Sequence, residues 1–324
     1  MPRHVIIDTD PGVDDALALI LALQSSELCV DAITTVSGNV HVDLATHNAL
    51  TVLGLFPPER RPLVARGAAQ PLRRPLSTAA HVHGDDGLGG ISCLRTVERQ
   101  LCYPPASASL ASYDAVTCLL DGIRRAPGEV TLIALGPLTN LAQAWQRDAH
   151  TVRQLSEVVI MGGAVTVPGN VTPVAEFNIY VDPEGAQIVF GSGLPIVLIG
   201  LDVTEQVRLS AEMIDQYSSP MGSPLSQFVV ECTAPTLQFS ARVERQAGMA
   251  MHDPLAVGAL IDPSIVRTVP LSVQVETRGE FTTGMLVADR RPLRPDFKPP
   301  ANVQVAVEVE GARFLEMFLS RLHT

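Results

Sequence analysis

The sequence predicts a doubly wound α/β fold: a mostly parallel sheet with helices on both faces, in a single domain with a small C-terminal sheet extension. Two observations predict it. Short β-branched runs alternate with helical stretches through the first two-thirds of the 324 residues, and continuous apolar strands of this kind belong to parallel sheets covered on both faces. From about residue 271 the pattern changes to short alternating strands closed by a helix.

Taken in order, HVIIDT (4–9) reads as a strand, DDALALILALQ (14–24) as a helix, CVDAITTV (29–36) as a strand and HVDLATHNALTVLGL (41–55) as a helix. Residues 57–108, rich in Pro, Arg, Gly and Ser, interrupt the alternation. It resumes with VTLIALG (130–136), PLTNLAQAW (137–145), EVVIMGG (157–163), DPEGAQIVFGSG (182–193) and PIVLIGL (195–201), broken by a Gly/Pro/Asn segment at 162–181. Long irregular segments inside a compact domain usually serve as lids or binding loops. VQVET, GMLVA and VQVAVEVE, followed by the helical ARFLEMFLSRL, form the extension. No linker-like tract precedes them and no repeat or low-complexity tract occurs, so residues 1–324 read as one domain.

Composition narrows the function. Apolar residues make up 46% and charged residues 18% of the chain, which fits a compact globular enzyme and compatible subunit interfaces. A formal net charge of -11 offers no basic stripe to nucleic acid or an anionic membrane, so neither is an expected partner. The apolar start at Val5 reaches Asp8 within three residues, unlike a signal peptide, and no apolar run approaches a membrane span. Five cysteines, an odd number without a CxxC pair, signal neither a disulfide framework nor a zinc knuckle. The expectation is a reduced, cytoplasmic protein.

The acidic turn DTDPGVDD at 8–15 poses the electrostatic problem. Asp8 and Asp10 fall on one side of the strand end, and Pro11-Gly12 turns the chain into a helix beginning near Asp14. Bare carboxylates about 4 Å apart repel by roughly 4 kcal/mol at an effective dielectric near 20, and a helix N-terminus offsets only about 0.3–1 kcal/mol for each. Protonation or a cation must supply the remainder. An all-oxygen ligand set favours a hard ion, and several carboxylates with backbone carbonyls suit calcium better than magnesium.

DTDPGVDDA (8–16) resembles the signature of the inosine/uridine-preferring nucleoside hydrolase family. The similarity continues in the family's order through SGNV (37–40), HGDDGLGG (83–90), ALGPLTNLA (134–142), IMGGAVTVPGNVTPVAEFNIYVDPEGA (160–186), MHDPLAV (251–257) and GEFTTGMLVADRR (279–291). The resemblance implies calcium held by Asp10, Asp15, Asp253 and the carbonyl of Leu135, with Asp14 as general base for the attacking water. It implies ribose contacts by Asn39, Asn170, Glu176 and Asn178, with Met161 beneath the sugar. It places His252 near the leaving base and His83 in the same pocket. Phe177 reads equally as a sugar or base contact and as core packing; Asp8 reads as a residue that holds the turn.

Cleavage of an N-ribosidic bond passes through an oxocarbenium-like ribosyl cation attacked by water at C1′. A carboxylate within hydrogen-bond reach takes the water's proton, a second carboxylate facing the ring stabilises its positive charge, and a histidine protonates the departing base. His41, His47 and His150 read as surface or structural residues. In TLQFSARVERQAGMAM (236–251) some relatives of this type carry tyrosines over the base; here Gln238, Phe239 and Arg242 are the candidates, and base specificity stays open. The expected activity is calcium-dependent hydrolysis of a small-molecule ribonucleoside by a homo-oligomer, dimeric or tetrameric as the resemblance implies. Other N-ribosides, a phosphohydrolase, and a non-catalytic metal-dependent ribose binder are the alternatives; the scarcity of lysine counts against the phosphohydrolase.

Overall fold

The computed structural model describes residues 2–217 and 223–322. Its main sheet has eight strands in the order β3-β2-β1-β4-β5-β6-β12-β9. They are β1 (Arg3–Thr9), β2 (Leu28–Thr35), β3 (Leu63–Arg66), β4 (Val130–Ala134), β5 (Glu157–Met161), β6 (Ile196–Ile199), β9 (Val266–Leu271) and β12 (Val303–Val309). All neighbours run parallel except β9, which is antiparallel to β12. Two ribbons stand apart: β7 (Arg208–Leu209) with β8 (Met249–Ala250), and β10 (Val273–Val275) with β11 (Leu286–Ala288). The C-terminal change of pattern is therefore a sheet extension, two strands wide in the main sheet, with a small ribbon beside it.

The helices are α1 (Val13–Gln24), α2 (Val42–Gly54), α3 (Ala80–His83), α4 (Ala115–Arg125), α5 (Thr139–Val152) and α6 (Phe177–Val181). They continue as α7 (Pro183–Phe190), α8 (Leu201–Thr204), α9 (Ala211–Tyr217), α10 (Pro224–Phe239), α11 (His252–Ile261) and α12 (Gly311–Arg321). The two faces of the sheet carry separate apolar cores. Val5 and Ile7 point into the one shared with α1, α2, α10, α11 and α12, whereas Ile6 points into the one shared with α4, α5 and α7. Strand alternation thus divides β1 between both layers. Helix α1 is buried without a break from Val13 to Ala22, as an all-round apolar helix must be.

Two strands depart from the sequence expectation. β3 lies inside the segment read as irregular, and β9 precedes the point where the C-terminal strands were expected to begin. Each is an edge strand, and β9 contains Pro270, which an edge tolerates because no neighbour needs its missing N–H.

The strand order fixes where the site lies. From β1 the chain winds outward through β2 and β3, then returns to β4 on the other side of β1 and winds the opposite way. The loops after β1 and β4 therefore diverge and leave a crevice at their C-terminal ends, the position at which open α/β sheets bind ligands.

Candidate active site

Asp8 lies one residue from the C-terminal end of β1, opposite Thr34 of β2. Its Oδ1 accepts from the Thr34 hydroxyl at 2.5 Å and from Asn140 Nδ2 at 2.7 Å, while Oδ2 is buried without a partner. Burial pushes this carboxyl up to about 6, against the lowering effect of both donors. Asn140 also donates to the Thr35 carbonyl at 2.9 Å, so Asp8 ties β1, β2 and α5 together beneath the crevice.

Asp10 sits one step higher. Its Oδ2 accepts the Asn39 backbone N–H at 2.6 Å, and its Oδ1 is buried without a partner. Gly38 and Gly136 flank this carboxylate so closely that a methyl group at Gly38 would overlap Oδ2 and one at Gly136 would lie 2.5 Å from Oδ1. Here glycine is required for close approach. The SGNV and ALGP segments are thereby brought against one side chain.

Asp14 and Asp15 occupy the first turn of α1, and Asp253 the first turn of α11. These helices pack together, so their N-termini face a common point, where backbone dipoles favour negative charge. Asp15 Oδ2 accepts from Gly12 N at 2.9 Å and Asn39 Nδ2 at 3.0 Å, and Oδ1 from the Thr9 hydroxyl. Asp14, Asp15 and Asp253 each bring a carboxylate oxygen within 4.8 Å of the others, and Asp14 Oδ1 has no hydrogen-bond partner.

Burial, then the Asp14 charge, pushes Asp15 up to about 6. Burial, then the neighbouring aspartates, pushes Asp10 and Asp253 well above the usual carboxylate range. With Asp10 Oδ1 and Asp14 Oδ1 unpartnered and all four carboxylates buried close together, the cluster fits a hard divalent cation.

Above the carboxylates lies a cleft of about 350 Å³, within the usual range for small-molecule sites. Asp14, Asn39, His83, Leu135, Met161, Asn170, Glu176, Phe177, Asn178, His252 and Asp253 all line it, while Asp10 and Asp15 lie below its surface. Eleven of the sequence candidates thus share one cavity wall. His41, His47 and His150 are exposed and remote from it.

The wall is held from behind. Glu176 caps α6, accepting from Asn178 N at 2.9 Å and Ile179 N at 3.3 Å, and also from Gly163 N at 2.7 Å. Burial raises its carboxyl nonetheless. Asn178 Nδ2 donates to the Leu135 carbonyl at 2.6 Å and the Met161 carbonyl at 3.2 Å, linking the ends of β4 and β5. Asn170 Oδ1 accepts from Phe177 N at 3.0 Å, which closes the 162–181 loop onto α6.

Two histidines face the cleft in different states of attachment. His83 Nδ1 accepts the Val13 N–H at 3.1 Å, so the neutral ring carries its proton on Nε2. Burial pushes this imidazole below its ordinary value, although Asp14 Oδ1 lies 3.9 Å away. His252 Nδ1 lies 2.8 Å from the hydroxyl of buried Thr204. Sequence reading missed Thr204, which is 48 residues from His252 and carries no local signal.

The far end of the cleft is built by the C-terminus of α10 and the π-helical turn Ser240–Glu244 that follows. Such turns re-aim side chains and recur at functional sites. Thr236, Phe239, Ser240, Val243 and Glu244 line the cleft here, but Gln238 and Arg242 do not. Of the three residues considered from the sequence, only Phe239 is in position, edge-on to His81 at 6.3 Å between ring centres. Thr236 Oγ1 is buried without a partner. No helix among the described residues is long and apolar enough to cross a membrane.

Comparison with known proteins agrees with this geometry. Residues 5–316 match the family model described as inosine-uridine preferring nucleoside hydrolase. The pyrimidine-specific ribonucleoside hydrolase RihA of Citrobacter koseri is 40% identical over 324 residues, covering 99% of this chain and 98% of the relative. RihA of Salmonella typhimurium is 40% identical over 327 residues, with 99% of each covered. Among solved structures, a plant nucleoside hydrolase superposes with a TM-score of 0.87 at 34% identity over 99% of both chains. A purine-preferring ribonucleoside hydrolase from Gardnerella vaginalis gives 0.87 at 32% identity, over 99% of this chain and 98% of that one. With its switch-point crevice and acidic floor, the chain belongs to the inosine-uridine preferring nucleoside hydrolase family and is an enzyme that hydrolyses ribonucleosides.

Proposed function

We propose that this enzyme is a calcium-dependent hydrolase of the N-ribosidic bond, acting on pyrimidine ribonucleosides. The observation that carries the reading is the set of buried carboxylate oxygens without partners at the floor of the cleft. Asp10, Asp15, Asp253 and the Leu135 carbonyl would hold the ion. Bound calcium would supply a positive centre that gathers the water and the ribose hydroxyls in one place.

The chain's own residues do the rest. Asp14, at the cleft surface with Oδ1 free of hydrogen bonds, accepts the proton of the attacking water. Asn39, Asn170 and Asn178 orient the sugar through amide donors and acceptors, and the Glu176 carboxylate faces the developing ring cation. Met161 supplies an apolar floor under the ribose, and Phe177 packs beside it. His252, oriented through Nδ1 by Thr204, delivers a proton to the departing base from its other nitrogen. His83, with Nε2–H available, donates to a polar edge of the substrate.

Kinship supports a pyrimidine. The curated relatives at 40% identity carry that specificity in their names. The enzyme works as a homo-oligomer in the cytoplasm.

The test is ribose release from uridine, cytidine, inosine and adenosine, with calcium and after chelation. Uridine and cytidine should be cleaved fastest, and calcium should restore the chelated enzyme. Preferential inosine cleavage would overturn the pyrimidine reading, and full activity after exhaustive chelation would overturn the metal reading.

A further inference from the structure

We propose that His4, Cys29 and Asp31 form a second metal site, for a divalent transition cation of the zinc type, at the N-terminal edge of the sheet. The site is independent of the nucleoside reading. His4 lies on β1 directly in register with Cys29 on β2, and the three side chains each offer a ligand atom within 4.8 Å of the others. His4 Nδ1 is 3.0 Å from both Asp31 carboxylate oxygens, and the Cys29 thiol donates to Asp31 Oδ1 at 3.6 Å.

An irregularity in the strand pairing accounts for this grouping. The β1/β2 register shifts between Val5 and Ile6, so that Val5 faces Val30 and Ile6 faces Ala32. Asp31 is the extra residue. Without the bulge it would stand opposite Ile6, whose side chain is in the core with Ala32. With it, Ala32 takes the buried place and Asp31 stays at the edge beside His4. Bulges in parallel pairs are rare, and those that occur commonly re-aim a side chain.

The donor chemistry differs from that of the cleft. Imidazole nitrogen, thiolate sulfur and carboxylate oxygen together select a borderline-soft ion, whereas the cleft's oxygens select a hard one. His4 and Asp31 are partly exposed, with 44% and 34% of their side chains accessible, which leaves an entry path and a position for solvent as fourth ligand. Burial and the Asp31 charge push the Cys29 thiol up, so the metal-free protein holds it protonated. Binding forms the metal–sulfur bond, releases the thiol proton to solvent and leaves the neutral imidazole proton on Nε2, so affinity rises with pH.

The test is titration of the calcium-saturated enzyme with Co²⁺. A near-ultraviolet thiolate-to-cobalt band should develop to one equivalent, disappear on addition of Zn²⁺, be absent from Cys29→Ser and weaken in His4→Ala. It should persist in Cys93→Ser and Cys102→Ser, the exposed cysteines elsewhere on the surface. No band in the wild-type protein, or an undiminished band in Cys29→Ser, would overturn the proposal. A second measurement needs no variant: Zn²⁺ should protect Cys29, but not Cys93 or Cys102, from alkylation read by peptide mass. Equal labelling of Cys29 with and without Zn²⁺ would overturn it as well.

Discussion

Strands β1 and β2 carry polar side chains at both ends, and the two ends solve the problem of charge in opposite ways. At the N-terminal edge, His4, Cys29 and Asp31 pair with one another in partial contact with water. At the C-terminal end, Asp10, Asp14, Asp15 and Asp253 are buried, and oxygens on Asp10 and Asp14 lack hydrogen bonds. The first arrangement is held by contacts among its own side chains until a metal replaces them, whereas the second leaves carboxylate oxygens with no protein partner. Unsatisfied polar groups are thus one mark of where a sheet holds a ligand, because folding alone does not compensate them.

The sharpest way to break this comparison is at Asp14, the cleft-facing carboxylate. Asp14→Ala should lower kcat by about 10²–10⁴-fold, the usual contribution of a general base, while calcium affinity measured by calorimetry stays near that of the parent. A parallel collapse of calcium affinity would make Asp14 a ligand instead.

A second, smaller effect follows from the raised carboxyls. Asp15 is pushed up to about 6, and Asp10 and Asp253 well above the usual carboxylate range. A carboxyl whose folded value exceeds its unfolded one stabilises the fold below the unfolded value, and that stability is lost as pH rises through the folded value. The chelated protein should therefore melt at progressively lower temperature as pH rises from about 4 through about 6 and beyond. Saturating calcium should flatten the profile, so its stabilising effect grows with pH. A chelated protein with a flat melting profile across that range would contradict the burial of bare charge.

The smallest effect belongs to the opposite end. Asp31→Asn should change the stability of the metal-free protein by no more than about 1 kcal/mol, as for other partly exposed ion pairs. Urea denaturation would measure it, and a loss of several kcal/mol would mean that this edge is as strained as the cleft.

Much of this arrangement could be read from residue order, and the part that could not has a physical reason. Continuous apolar runs gave away β1, β2, β4, β5 and β6 because burial on both faces leaves no polar alternation to confuse them. β3 and β9 were missed because edge strands are short, half-exposed and tolerant of proline, so they lack that signature. The grouping of Asp10, Asp14, Asp15, Asn39, Glu176, Asn178, His252 and Asp253 was readable from motifs that hold several of these residues in short segments. Their supports were not. Asn140 reaches Asp8 across 132 residues and Thr34 reaches it across 26, distances over which sequence carries no pairing signal. The turn at 240–244 was opaque because a π-helical insertion shifts the helical period by one residue after Phe239, so the side that faces the cleft changes within the turn, and Ser240, Val243 and Glu244 line it while Arg242 does not.

The two glycines against Asp10 also bear on how the molecule assembles. Gly38 follows β2 and Gly136 follows β4, so the space around the Asp10 carboxylate is enclosed only after the strands on both sides of β1 have docked. Neither half of the sheet contains this environment alone. A cation that recognises it therefore binds the finished fold and not its precursors, and draws the folding equilibrium toward the native state in proportion to its concentration. Calcium supply would then set how much of the chain survives as enzyme, as well as how fast each molecule turns over.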